Sequence, residues 1–228
     1  MPIDANNLWV VIPAYNEGKM IARVVEDVRR LFPNVVVIDD ASADQTAEAA
    51  KRAGAHVLRH PINLGQGAAL QTGFEYALNA GATFIATFDA DGQHHIEDVT
   101  LMQERLIESG ADLALGSRFL GNTVGMTEGR RLLLRAATLF TNITTGLSLS
   151  DCHNGLRLLT ARAASVLTLR QNRMAHASEI LAGIRKHRLT FIEVPVTISY
   201  TEYSRQKGQT FIDTFVICRD LIAAKMLP

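Results

Sequence analysis

Apolar and β-branched residues in this chain fall into short runs, each followed by a stretch in which apolar positions recur at helical spacing. Leu8 to Ile12 precedes Lys19 to Leu31, Val35 to Ile38 precedes Asp44 to Arg52, and His56 to Arg59 precedes Gln66 to Leu78. Phe84 to Phe88 and Ala111 to Leu115 keep the rhythm, with a helix predicted from about Ile96 to Glu108 between them. Strand alternating with helix predicts right-handed crossovers and an α/β fold: a mostly parallel central sheet covered by helices on both faces. Ligands of such sheets sit beyond the carboxyl ends of the strands.

After about Arg118 the pattern changes. Arg130 to Ile143 reads as a helix with Arg131, Arg135, Thr138 and Asn142 along one stripe and Leu132, Leu133, Leu139, Phe140 and Ile143 elsewhere. Leu156 to Leu159 and Thr190 to Ser199 read as strands, with a helix around Ser178 to Lys186 between them, and Phe211 to Leu227 as a final, broadly apolar helix. No repeat, linker or low-complexity tract interrupts the chain. At 228 residues it fits one α/β domain, with an amino-terminal half of about 8–118 and a carboxyl-terminal half of about 119–228.

Composition narrows the partners. Lys plus Arg equals Asp plus Glu at 23 each, so bulk charge argues for no nucleic-acid partner, and charge-driven binding has to be local. Two cysteines, Cys152 and Cys218, are too few for a disulfide framework and lack zinc-site spacing, which suits a reducing compartment. The opening MPIDANNLWVVIPAYNE lacks a basic region ahead of a long apolar stretch, so a cytoplasmic protein is expected. No segment reaches the roughly 18–20 apolar residues that span a bilayer, so any membrane contact is expected to be peripheral, at the inner face of the plasma membrane.

The strand ends carry the chemistry. FIATF runs into Asp89-Ala90-Asp91-Gly92-Gln93, where residues two apart project the same way and two carboxylates converge. A hard divalent cation, Mg²⁺ or Mn²⁺, relieves their repulsion and takes substrate phosphate oxygens as further ligands. Gln93 offers a carbonyl ligand; the competing reading of the same residues is a solvated acidic turn. The first strand stops at Pro13-Ala14-Tyr15-Asn16-Glu17, and the second at Asp39-Asp40-Ala41-Ser42-Ala43-Asp44, where Ser42 or Asp44 is the expected helix cap. Asp39 and Asp40 have no evident structural partner in the sequence, and a carboxylate at a strand end suits ribose hydroxyls. Asn63-Leu64-Gly65-Gln66-Gly67 begins like a dinucleotide fingerprint, but Leu70 occupies the third glycine position, which argues against a nicotinamide oxidoreductase. The loop reads as a glycine turn bringing backbone N–H groups near an anion or sugar, or as a plain tight turn.

In this order, VIPAYNE (11–17), VIDDASADQT (37–46), NLGQGAALQTGFEYAL (63–78), FDADGQH (88–94), GSRF (116–119) and DCHNGLRLL (151–159) resemble the family 2 glycosyltransferases. The likeness is to members of GT-A fold, particularly the dolichol-phosphate and polyprenol-phosphate mannosyl- and glucosyltransferases, and it extends from about Leu8 to at least Thr210. The resemblance implies an inverting transfer of a hexose from a UDP-, GDP- or dTDP-linked donor. Pro13, Tyr15, Glu17 and Asp39 would contact the nucleoside, with Asp40, Gly65, Gln66, Gly67 and Ala90 in the same donor set. Asp89, Asp91 and Gln93 would hold the metal and diphosphate. Arg118, Arg130 and Arg131, with Asn154 and Glu179, would meet the acceptor, a membrane lipid phosphate in those relatives. Arg205, Lys207 and Gln209 would lie on a loop closing over both substrates, with Arg118, Arg205 and Lys207 beside Asp91 in the catalytic set. The chain departs from the family's D-G-S-T-D-G-T, reading Asp40-Ala41-Ser42-Ala43-Asp44-Gln45-Thr46, and has Asn154-Gly155-Leu156 where a serine, glycine and aromatic are common.

A lipid phosphate is already an anion near neutrality and needs no base, whereas a sugar hydroxyl needs one. The base candidates are Asp151, His176 and Glu179, none in an acidic pair, which favours a phosphate acceptor over a growing glycan. The basic stripe on the 130–143 helix and the apolar final helix match a bilayer-resting surface, with core or homodimer packing as the alternative. A noncatalytic nucleotide-sugar-binding protein is the remaining rival, against which the intact Asp89, Asp91 and Gln93 speak.

Overall fold

The computed structural model describes residues 7–169, 176–200 and Tyr203. Its centre is a seven-stranded sheet: β1 (Leu8–Ala14), β2 (Asn34–Asp39), β3 (His56–Arg59), β4 (Phe84–Thr87), β5 (Leu113–Val124), β6 (Arg157–Thr160) and β7 (Phe191–Ser199). They lie in the order β3-β2-β1-β4-β6-β5-β7. Only β6 opposes its neighbours, pairing antiparallel with β4 and β5, and the remaining pairings are parallel. The chain is thus the three-layer α/β sandwich expected from its alternation.

Helices cover both faces because the strands are apolar on both. Leu8, Val10 and Ile12 of β1 face one core, shared with Ile21, Val24, Val25 and Val28 of α1 (Ile21–Arg29), with α2 (Thr46–Arg52), and with Ile96, Val99, Met102 and Leu106 of α4 (Ile96–Ser109). Trp9 and Val11 face the other, shared with α3 (Gln66–Asn79), α6 (Ala161–Val166) and α7 (His176–Lys186). The period of three to four in α1 and α4 is what an amphipathic helix on a sheet requires. Helix α3 lies so close to β1 that a Cβ on Gly73 would sit 2.2 Å from Cγ1 of Val11.

Three elements differ from the expectation. β5 runs on to Val124, because after an irregularity between Ser117 and Asn122 its pairing with β7 resumes from Asn122 opposite Thr197 to Val124 opposite Ser199. Helix α6 has six residues and buries only Ala163 and Ala164, too few to display a period. Helix α2 starts after Gln45, which makes no side-chain cap bond. Asp44 accepts from Thr46 N–H but equally from Gly18 N–H, both at 3.0 Å, and Ser42 Oγ accepts from Asn16 N–H at 2.8 Å. These side chains therefore staple the β1 and β2 loops together. The final helix expected over Phe211 to Leu227 lies outside the described residues.

Helix α5 (Glu128–Thr145) is capped by Thr127, whose Oγ1 accepts from Arg130 N–H. It turns small and polar residues inward, burying Ala137, Thr138 and Thr141. Leu132 and Ile143 are each 73% exposed and Leu139 is 62% exposed, the reverse of an ordinary surface helix. Among the described residues no helix is long and apolar enough to cross a membrane.

Candidate active site

Because β1, β2 and β4 run parallel, their carboxyl ends share one edge of the sheet, and antiparallel β6 delivers its amino end there too. A cleft of about 360 Å³ opens at this edge. Asp89, Ala90, Asp91 and Gln93 line it, beside Pro13, Tyr15 and Glu17 from the β1 loop and Gln66 from the start of α3.

The two carboxylates are held differently. Asp89 Oδ1 accepts from Gln66 Nε2 at 3.2 Å, and its Oδ2 lies 2.9 Å from Nε2 of His94, a ring buried edge-on against Phe88. Asp91 accepts from the backbone N–H and the side-chain Nε2 of Gln93, at 3.1 and 2.7 Å. Burial, and then the charge of Asp89, push the Asp91 carboxyl up to about 6, against the opposing pull of His94 and the Gln93 N–H. An acidic pair that resists double ionisation suits a divalent cation, which removes the repulsion. Among the described residues no group of three or more His, Cys, Asp and Glu side chains could hold a metal alone. The donor set therefore fits a cation that shares its coordination with substrate oxygens. Gly155 makes room for this pair: a Cβ there would fall 2.1 Å from Asp89 Oδ2.

The donor-side residues separate on inspection. Tyr15, half exposed, leans over the cleft mouth, and Glu17 Oε2 accepts from the Tyr203 hydroxyl at 2.6 Å, tying the chain after β7 to the β1 loop. Burial and the neighbouring Glu17 raise the Tyr203 phenol above its ordinary value. Asp39 is fully buried; its Oδ1 accepts from Ser42 N–H at 3.1 Å, Arg59 Nε lies 3.1 Å from its Oδ2, and it does not line the cleft. Asp40 touches the cleft, but its oxygens are taken by Leu64 N–H at 2.8 Å, Gly65 N–H at 2.7 Å and His60 Nδ1 at 2.8 Å. Both acidic residues thus have structural partners that the sequence did not reveal. The anion met by the glycine turn is the protein's own Asp40, and neither Gly65 nor Gly67 lines the cleft.

On the acceptor side Arg118 and Arg130 line the cleft. Buried Arg118 donates from Nε to Asp151 at 2.6 Å, from Nη1 to the Tyr200 hydroxyl at 2.8 Å and from Nη2 to the His153 carbonyl at 2.8 Å. Burial works against its charge, and Asp151 and Tyr200 together more than offset this, so its pKa is raised. The Arg130 guanidinium stacks 4.9 Å from the Tyr200 ring centre. Arg131, a third of a turn away, pairs loosely with Glu128 at 3.8 Å and does not line the cleft. Nor do Asn154, whose Oδ1 accepts from Leu156 N–H at 2.9 Å, and Glu179 in the first turn of α7, although neighbouring Ala177 and Ser178 do. Asp151 is fully engaged with Arg118, which removes it as a free base. The His176 side chain, Arg205, Lys207 and Gln209 lie outside the described residues.

The cleft also contains residues that sequence reasoning passed over: His94, His153, Gly155 and Arg157. His94 lies on the same loop as the acidic pair, and the other three are brought in by the antiparallel sense of β6. That sense sets Arg157 opposite Thr87, two residues before Asp89, and a strand pattern alone carries no direction.

Residues 9–187 match the family model described as Glycosyl transferase family 2. An uncharacterized protein of Methanocaldococcus jannaschii is 37% identical, over 98% of this chain and 94% of its own length. A UDP-N-acetylglucosamine–dolichyl-phosphate N-acetylglucosaminyltransferase of Methanococcus voltae is 30% identical, over 96% of each chain. An undecaprenyl-phosphate mannosyltransferase of Micrococcus luteus is 31% identical, over 86% of this chain and 85% of its own. The crystal structure of glucosyl-3-phosphoglycerate synthase from Mycobacterium tuberculosis, in complex with Mn²⁺, UDP-glucose and phosphoglyceric acid, shares the fold with a TM-score of 0.72 at 20% identity. It covers 96% of this chain and 78% of that one.

Proposed function

As the chain belongs to glycosyl transferase family 2 and is a glycosyltransferase of GT-A fold, we propose that it moves a hexose from a nucleotide-diphosphate donor to a polyprenyl phosphate, with inversion and with a divalent metal. The observation that carries this reading is the Asp89–Asp91 pair at the tip of β4, in one cleft with Arg118 and Arg130. The relatives named for dolichyl- and undecaprenyl-phosphate transfer support the acceptor class.

Residues of about 8–118 would bind the donor and those beyond would receive the acceptor. Pro13, Tyr15 and Glu17 would border the nucleoside. Asp89, Asp91 and Gln93 would hold Mg²⁺ or Mn²⁺, which when bound supplies positive charge at the departing diphosphate. Gln66 and His94 would keep the Asp89 carboxylate aimed into the cleft. Arg118, locked by Asp151, Tyr200 and the 153 carbonyl, keeps N–H groups to spare and would orient an anionic acceptor with Arg130. A phosphate nucleophile fits the described residues better than a sugar hydroxyl, because Asp151 is spent on Arg118 and Glu179 stands off the cleft. The outward leucines and isoleucine of α5, next to Arg130, Arg131 and Arg135, would rest on the bilayer that presents such an acceptor.

The test is a thermal-shift screen of UDP-, GDP- and dTDP-sugars with and without Mg²⁺ or Mn²⁺, since a ligand of the folded state alone raises its melting temperature. One nucleotide class should stabilise the protein only with metal and then support transfer to a polyprenyl phosphate. Metal-independent stabilisation, or none by any nucleotide-sugar, would overturn the reading.

A further inference from the structure

Arg157 opens β6 with 4% of its surface exposed, yet its guanidinium makes no hydrogen bond or ion pair among the described residues. Its backbone is engaged, N–H to Thr87 Oγ1 at 3.1 Å, but the side chain lines the cleft with its donors unspent. In the same cleft, the Nε2 of His153 is buried without a hydrogen-bond partner. Burying a guanidinium without hydrogen bonds is costly, and five N–H donors in a planar fork match the oxygens of a phosphate. Nearby carboxylates only partly compensate: burial pushes the Arg157 pKa down, and Asp89 and Asp151 act against it. Burial likewise lowers the His153 pKa, against the opposing pull of Asp151 and with Arg118 and Arg157 acting in the same direction as burial.

We propose that Arg157 is a substrate-binding residue that receives a phosphoryl oxyanion in the cleft, with His153 as a second donor to the same group. The proposal rests on the cleft being the transferase site and adds the residue that recognises the anion. Arg118 has three fixed protein partners and Arg130 stacks on Tyr200, whereas the Arg157 guanidinium has all its donors left for a ligand among the described residues. The shared chemistry is a phosphate oxygen, and its two sources are the donor's diphosphate and a phosphate monoester acceptor.

Titration calorimetry on the purified full chain separates them, using inorganic phosphate without metal as the monoester probe and inorganic pyrophosphate with Mg²⁺ as the diphosphate probe. Arg157→Gln is expected to weaken at least one probe tenfold or more, with Arg157→Lys intermediate, because the ammonium keeps the charge and loses the fork. Loss confined to phosphate assigns the acceptor side, and loss confined to magnesium pyrophosphate assigns the donor side. If the wild type binds the probes and both variants bind them within twofold of it, the role of Arg157 is overturned while the transferase reading stands. If the wild type binds neither probe, the cleft reading falls and this inference with it. Should Arg157→Gln fail to fold, Arg157→Lys decides alone: affinity within twofold of wild type overturns the proposal, and a several-fold loss with a native circular dichroism spectrum supports it.

Discussion

At the scale of single residues, the cleft holds charge that the fold alone would not choose. Asp91 titrates near 6 instead of 3.8, so in the metal-free protein its ionisation opposes folding. The sign follows from the raised value: the stability present below pH 4 is lost as pH rises through about 6. Asp91→Asn removes that penalty. Discounted for the solvent the cleft admits, it should stabilise the metal-free protein by about 1–2 kcal/mol at pH 8, a rise of a few degrees in melting temperature. The same variant should lose metal-dependent stabilisation by nucleotide-sugar, and wild-type metal binding should weaken as pH falls below 6. A wild-type response of Asp91→Asn to metal and donor would remove Asp91 from the site. Gly155 makes a complementary case, since the methyl of Gly155→Ala would occupy the space of the Asp89 carboxylate. That variant should retain its fold, shown by circular dichroism, and lose metal-dependent donor binding by at least tenfold.

Elements differ in how plainly the sequence announced them. The strands and the helices on both faces were legible because apolar periodicity of two kinds reports burial directly, from Leu8–Ala14 to Ile96–Ser109. The antiparallel sense of β6, the extension of β5 past Arg118 and the short α6 were not, because pairing partners and strand direction are set by the tertiary structure. The same limit applied at the site. The acidic pair at the tip of β4 could be read from local spacing, whereas the ties of Asp39 to Arg59 and of Asp40 to the turn before α3 join segments some 20 residues apart. Asp40 therefore fixes where α3 begins, and so where Gln66 reaches Asp89. Asp40→Ala would leave two backbone N–H groups and the Nδ1 of His60 without their partner in a buried setting, a loss of about 2–4 kcal/mol measurable by urea unfolding. Helix α5 argues the other way: its outward Leu132, Leu139 and Ile143 contribute little to the fold. Replacing all three by serine should leave the unfolding midpoint nearly unchanged and abolish sedimentation with anionic lipid vesicles, and retained sedimentation would assign the membrane contact elsewhere.

Across the whole molecule, donor and acceptor sides rest on different supports, which makes them separately mutable. The Asp89–Asp91 loop stands on β4 and is braced by α3 and His94. Arg118 stands on β5 and is braced from β7 through a chain of bonds. Glu193 accepts from Ser150 N–H at 2.9 Å, Ser150 Oγ at 2.7 Å and Asp151 N–H at 3.2 Å, and Asp151 in turn holds Arg118. Glu193 does not line the cleft, so its influence on transfer can only pass through that chain. Glu193→Gln weakens the charge-assisted bonds to the 150–151 backbone and frees Asp151 to shift, at a cost of about 1–2 kcal/mol in stability. If the two sides are independent, this variant should bind metal and nucleotide-sugar like the wild type while transfer falls tenfold or more, with KM for the lipid phosphate rising. A purely structural role for Glu193 would lower the melting temperature and leave both transfer and the KM for the lipid phosphate unchanged. Equal loss of donor affinity and transfer would mean that the sheet couples the two sides, and that the cleft works as one unit.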